Sequence, residues 1–217
     1  MRLKICGITS VEQADAIASL GVDTLGFICV ENSPRYIKSE QIKTITSKIS
    51  SEISKVGVFV NQSIENILDI VEKAGLTGIQ LHGDEPPSMC TTLRESLPDL
   101  EIIKVFRYQN SDSLAKLDDY LSVIDTILLD TYQKDMYGGT GKTFNWSELA
   151  DFRPPRPWLL AGGLTPDNVL LALNTLKCDG IDVSSGVETN PGEKDLNKIK
   201  LLLEHLNSFK VPLHSSN

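Results

Sequence analysis

Cys6, Arg35, His82 and Asp130 are the side chains of this sequence best suited to moving protons or gripping an anion, and each stands at or just beyond the end of a short apolar run. A thiol has an unperturbed pKa of ~8.5, so modest help makes it a thiolate that acts as base or nucleophile. A carboxylic acid held across the same pocket would complete the acid and base that a proton-transfer isomerisation needs. The reference pKa of Asp is ~3.9, so Asp130 donates a proton at neutral pH only where burial or a nearby anion raises that value. Arg35 follows Pro34 in "NSPRYI", and a guanidinium fork reads a planar carboxylate through two hydrogen bonds. His82 in "LHGDEP" is a further titratable candidate. Each has a plainer reading: Cys6 as a small buried hydrophobe, Asp130 as a turn former, Arg35 as a solvated charge and His82 as a histidine satisfied by its neighbours.

Two small-residue turns add a second kind of chemistry. "AGGL" contains Gly162 and Gly163, and "DVSSGVE" contains Asp182, Ser184, Ser185 and Gly186. Such turns, the second opening a short helix, present backbone N–H groups to a phosphate. The plainer alternatives are a tight turn and an ordinary capping box between Ser185 and Glu188. A third glycine-rich stretch, "YGGTGKTF" at 137–144, has the look of a nucleotide-binding loop. That motif needs a glycine where this chain has Met136, and Pro154 and Pro155 shorten any helix that follows.

The elements that must position these residues follow from the hydrophobic pattern. Eight short apolar runs, from "LKIC" to "GIDVS", alternate with eight amphipathic stretches, "SDSLAKLDDYL" and "NWSELADF" among them. This is the pattern of buried parallel strands joined by crossover helices. It predicts a single-domain α/β fold, a (β/α)8 TIM barrel over residues 1–207, with an aperiodic C-terminal tail at 208–217. The 217 residues allow about 27 per unit, against ~250 residues for a typical barrel, so short loops are expected. An open doubly wound sheet is the alternative, but its glycine fingerprint is missing from "CGITS". Ser10 with Gln13 reads as a capping box, Gly21 and Gly75 as helix stops, and Pro86 and Pro166 as first-turn residues. In a barrel the working face lies at the C-terminal ends of the strands, which is where the candidate residues fall.

A formal charge of −8 and a pI near 4.9 argue against a nucleic-acid or anionic-membrane partner. No apolar run approaches the ~18 residues of a membrane span, and the N-terminus lacks the apolar core of a secretory signal. The four cysteines are widely spaced, with no C-x-x-C pair and no histidine at zinc-ligand spacing, so no structural metal and a reducing, cytoplasmic setting are expected. A monomer is the default expectation, with a homodimer as the alternative.

The strings "KICGIT", "LGFICVENSPRYI", "VGVFVNQ", "IQLHGDE", "LLDT", "GGTGKTFNW", "LLAGGLTPDNV" and "GIDVSSGVE" together resemble the phosphoribosylanthranilate isomerase family of tryptophan biosynthesis, in order over about residues 3 to 200. The resemblance implies a cofactor- and metal-free aldose–ketose isomerase acting on a small phosphosugar. Asp130 would be the general acid that opens the furanose ring and Cys6 the general base that takes the C2′ proton. Arg35 would hold the anthranilate carboxylate, the Gly162, Gly163, Ser184, Ser185 and Gly186 turns the phosphate, and Asp182 and His82 would stand beside the substrate. On this reading "YGGTGKTF" is a lid that keeps water from the reactive intermediate. Rival readings are the next enzyme of the pathway, indole-glycerol-phosphate synthase, which would need a catalytic lysine where only Lys4 and Lys104 lie within strands, and a non-catalytic sugar-phosphate binder. The related histidine-pathway isomerase usually places Asp at both catalytic positions, so Cys6 counts against it.

Overall fold

Parallel strands β1 (Arg2–Cys6), β2 (Thr24–Ile28), β3 (Ser54–Phe59), β4 (Gly78–Leu81), β5 (Glu101–Tyr108), β6 (Thr126–Thr131), β7 (Trp158–Leu160) and β8 (Gly180–Val183) close into one barrel in sequence order. The expected (β/α)8 architecture is therefore present. The computed structural model describes residues 1–131 and 145–210, and the stretch read as a lid lies outside the described residues.

Side chains alternate across each strand with a period of two. On β1 this sends Leu3 and Ile5 outward into the large core beneath the helices, while Lys4 and Cys6 face the barrel interior. Val56, Ile103, Val105, Leu128, Leu159 and Ala161 form a separate apolar cluster inside the barrel. Closure comes from the pairing of β8 with β1, which sets Lys4 beside Asp182 and Ile5 beside Val183.

The helices are α1 (Val11–Ala18), α2 (Ser39–Thr46), α3 (Ile64–Ala74), α4 (Pro87–Ser96), α5 (Val169–Thr175) and α6 (Leu196–Lys210). Two expected helices are replaced. "SDSLAKLDDYL" forms 3-10 turns at Ser111–Leu114 and Leu117–Tyr120, because Asn110 Oδ1 accepts from the Asp112 N–H and Ser113 Oγ from the Gln109 N–H. Side-chain bonds of this kind compete with helix formation. "NWSELADF" gives only a 3-10 turn at Trp146–Leu149, cut short before Pro154 and Pro155. The final helix continues to Lys210, three residues beyond the expected boundary at 207, because Phe209 still finds the core to pack on.

The punctuation of the helices is also partly revised. Ser10 Oγ accepts from the Gln13 N–H at 3.2 Å, but the Gln13 side chain donates to Gly192 O instead of completing the box. Gly75 ends α3 in the left-handed conformation. Gly21 does not stop α1, which ends at Ala18, and instead turns the chain toward β2. A hairpin of β9 (Glu188–Asn190) and β10 (Glu193–Lys194) follows β8 and was not foreseen.

Candidate active site

A cavity of about 460 Å³ opens at the C-terminal ends of the strands, and all ten residues singled out in the sequence line it. β1 brings Cys6, the loop after β2 brings Arg35, the end of β4 brings His82 and β6 brings Asp130. The loop after β7 contributes Gly162 and Gly163, and β8 with its following turn contributes Asp182, Ser184, Ser185 and Gly186.

Asp130 is 5% exposed, and each of its carboxylate oxygens faces a different neighbour. Oδ1 accepts from the Thr131 N–H at 2.8 Å. Oδ2 stands 3.2 Å from His82 Nε2, without the alignment of a hydrogen bond. The other ring nitrogen of His82 meets Gln80 Nε2 at 3.1 Å. When that contact is an amide N–H donated to Nδ1, the His82 proton sits on Nε2 and faces Asp130. Gln80 is two residues before His82 and shares its inward face, so strand periodicity carries its signal although it does not stand at a strand end.

Arg35 is not a solvated charge. Its Nε and Nη2 donate to the Glu188 carboxylate at 2.9 and 2.7 Å, and that carboxylate also accepts from Lys194 Nζ at 2.6 Å. The Nη1 nitrogen is left without a partner among the described residues, so the end of the fork is free to meet a ligand carboxylate. The hydrogen bond that Arg35 donates to Glu188 pushes the guanidinium above its ordinary value, against the effect of burial. Burial alone would raise Glu188, but hydrogen bonds from Arg35 and Lys194 carry its carboxyl below the ordinary range. Glu188 therefore serves Arg35, and the capping-box reading with Ser185 does not hold. The sequence does not mark Glu188 or Lys194 as partners of the site, because Glu188 reaches Arg35 across 153 residues and Lys194 joins only through Glu188.

The two small-residue turns meet as closely as their composition allows. A Cβ on Gly186 would lie 1.8 Å from Leu164 O, and one on Gly162 would lie 2.2 Å from Thr131 Oγ1 and 2.9 Å from Asp130 Oδ1. Gly162 also has φ +89°, a region costly for any residue with a Cβ. Glycine here lets the β7 and β8 turns touch each other and the end of β6. No acceptor among the described residues takes the backbone N–H of Gly162, Gly163, Ser185 or Gly186. The short helix expected after β8 is a 3-10 turn, Ser185–Val187, and the Ser184 hydroxyl is committed to Cys6 O at 3.0 Å. Free donors in this position suit an anion such as phosphate.

The lysine that a lyase reading requires is not available at a strand end. Lys104 is buried outside the barrel on Glu85 at 2.7 Å, and Lys4 is paired with Asp182 at 2.9 Å.

A thiol and a carboxylic acid three strands apart around a closed barrel, above a wall of unpaired backbone amides, are the arrangement of an acid–base enzyme that works on a small anion. Comparison with known proteins narrows that class. The family model for N-(5'-phosphoribosyl)anthranilate isomerase matches residues 3–205, and the chain belongs to this family. It is 55% identical over 206 residues to the N-(5'-phosphoribosyl)anthranilate isomerase of Crocosphaera subtropica, covering 95% of this chain and 98% of the relative. The phosphoribosyl anthranilate isomerase structure from Thermotoga maritima superposes with a TM-score of 0.88 at 37% identity, over 96% of this chain and 99% of the other. A phosphoribosyl anthranilate isomerase structure in complex with reduced 1-(o-carboxyphenylamino)-1-deoxyribulose 5-phosphate superposes with a TM-score of 0.85 at 35% identity, over 96% and 99%.

Proposed function

We propose that this chain converts N-(5′-phosphoribosyl)anthranilate to 1-(2-carboxyphenylamino)-1-deoxyribulose 5-phosphate by an Amadori rearrangement. The observation that carries the reading is the grouping of Cys6, Asp130, Arg35 and the two small-residue turns around one cavity, in a chain whose family acts on that substrate. Asp130 gives a proton to the furanose ring oxygen as the C1′–O bond breaks and the anthranilate nitrogen forms a Schiff base. The Cys6 thiolate takes the C2′ proton, leaving an enolamine that gains a proton at C1′ and loses its hydroxyl proton to become the ketone. Proton transfer by positioned groups of this kind contributes about 10²–10⁴-fold to a rate.

Arg35 receives the anthranilate carboxylate on the edge that Glu188 leaves open, and the amides of Gly162, Gly163, Ser185 and Gly186 receive the phosphate. His82 faces Asp130 and orients the acid, while Asp182 stands on the cavity wall with its carboxylate engaged by Lys4. One barrel domain carries the whole activity, as a monomer in the cytoplasm. No helix among the described residues is long and apolar enough to cross a membrane.

The test is the loss of phosphoribosylanthranilate fluorescence with the purified protein beside Cys6→Ala and Asp130→Asn. Turnover by the parent with a loss of at least about 10²-fold in each variant is the expected result. A parent that binds a product analogue through its phosphate but turns nothing over would mean a non-catalytic binder.

A further inference from the structure

Lys4 is wholly buried, inside the barrel rather than on its surface. A buried ammonium is costly to desolvate, and apolar side chains of similar volume often fill such a position at least as well. The barrel interior shows the apolar solution beside it, in Val56, Ile103, Leu128 and Leu159. The charge pair is confined to the seam between β8 and β1, directly beneath Cys6.

Three features place the ammonium against the thiol. Strand periodicity puts Lys4 and Cys6 on the same inward face, two residues apart. The β1–β8 register sets Asp182 beside Lys4, and its Oδ1 accepts from Nζ at 2.9 Å. The β1–β2 register sets Gly26 beside Cys6, and a Cβ on Gly26 would lie 2.8 Å from Cys6 Sγ and 3.0 Å from Lys4 Nζ. Sulfur and ammonium thus share the space that a side chain at position 26 would fill. Only one of the three ammonium protons is taken by Asp182.

We propose that Lys4 is a positioning residue that acts through Cys6: its ammonium, anchored by Asp182, is the charge that stabilises the thiolate form of the general base. This rests on the reading of Cys6 as that base. The thiolate takes the C2′ proton and becomes a thiol, and Lys4 keeps its own proton throughout. Burial pushes the Cys6 thiol up, and the strongest influence pulling it back is Lys4; Asp182 adds to the rise and Lys194 on β10 opposes it. Arg35, on the loop after β2, and Cys29 also feel the charge of Cys6. Burial works against the charge on Lys4 as well, yet Asp182 holds it above its ordinary value, so it stays an ammonium at neutral pH. With Lys4 in place burial still holds the thiol above its ordinary value, and without Lys4 the thiol would be pushed higher still.

The experiment follows alkylation of Cys6 by iodoacetamide against pH. Peptide mass spectrometry separates Cys6 from Cys29, Cys90 and Cys178. Lys4→Met moves the alkylation midpoint to higher pH by a unit or more, which is about tenfold less thiolate at neutral pH. Lys4→Arg restores most of the shift, and Asp182→Asn moves the midpoint the opposite way. A purely structural lysine would not give shifts of opposite sign. Where Lys4→Met fails to fold, Lys4→Met/Asp182→Asn removes the stranded carboxylate and is compared with Asp182→Asn alone. Equal midpoints in that comparison, or an unmoved midpoint in folded Lys4→Met, overturn the proposal. The acid limb of kcat/KM is measured on the same proteins and moves with the alkylation midpoint. An alkylation shift with a fixed limb would leave the hold of Lys4 on the thiol intact and remove Cys6 from the role of base.

Discussion

The Arg35 guanidinium donates from Nε and Nη2 to the Glu188 carboxylate, which leaves Nη1 as its open edge. Taken alone, it was as consistent with solvent as with a substrate. In the fold it is clamped by Glu188, itself held by Lys194, so its free edge is fixed in direction. Glu188→Gln leaves the buried Lys194 and the part-buried Arg35 without their carboxylate, and loss of one partner from a buried pair costs about 3 kcal/mol. The folded pKa of Glu188 lies below its ordinary value, so its stabilisation is fully present above the unfolded value of ~4.3 and is lost as pH falls through the folded value. Parent and Glu188→Gln melting curves are therefore expected to differ at neutral pH and to converge only in acid, as pH falls through the depressed folded value. In steady-state kinetics KM rises more than kcat falls, because a ligand contact loses its orientation while the acid and base remain. A stability gap that persists unchanged at acid pH would refute the charge argument.

At the scale of elements, the turns separate into those that serve chemistry and those that serve the frame. The glycines after β7 and β8 sit at the cavity, where a Cβ would strike backbone or the end of β6. Gly75, at the end of α3, is on the opposite face of the barrel, at φ +64° with nothing nearer to a Cβ than Lys43 Nζ at 3.4 Å. Gly75→Ala is expected to lower stability by about 1 kcal/mol through backbone conformation alone, with kcat/KM unchanged. Thermal melts and the fluorescence assay on the same sample check both halves, and a loss of activity would mean that α3 is coupled to the site. Strand positions were legible because buried parallel strands are near-continuous apolar runs. The segment from Ser111 to Tyr120 has helical spacing but forms 3-10 turns, because Asn110 and Ser113 bond to the local backbone.

For the whole molecule, burial bears on the oligomeric state. Among the described residues, Leu171 and Leu201 are the only large apolar side chains that stand exposed, and isolated exposures of this kind are ordinary on a monomer. Light scattering on a size-exclusion column is expected to give 23.9 kDa. A mass of twice that value would point to a paired face and make α5 and α6, which carry these leucines, the place to look for it.

The amino-acid sequence by itself determined the repeating strand–helix order, the residues at the strand ends and the small-residue turns, because strand periodicity, apolar runs and glycine punctuation are local properties. It also carried the family likeness, since those strings occur in order along the chain. Tertiary structure alone decided which charges touch. Lys4 meets Asp182 across 178 positions and Arg35 meets Glu188 across 153, contacts that exist only once β8 closes against β1. The electrostatic surroundings of Cys6 and Arg35 are therefore a consequence of barrel closure, which brings the first and last barrel strands to one seam.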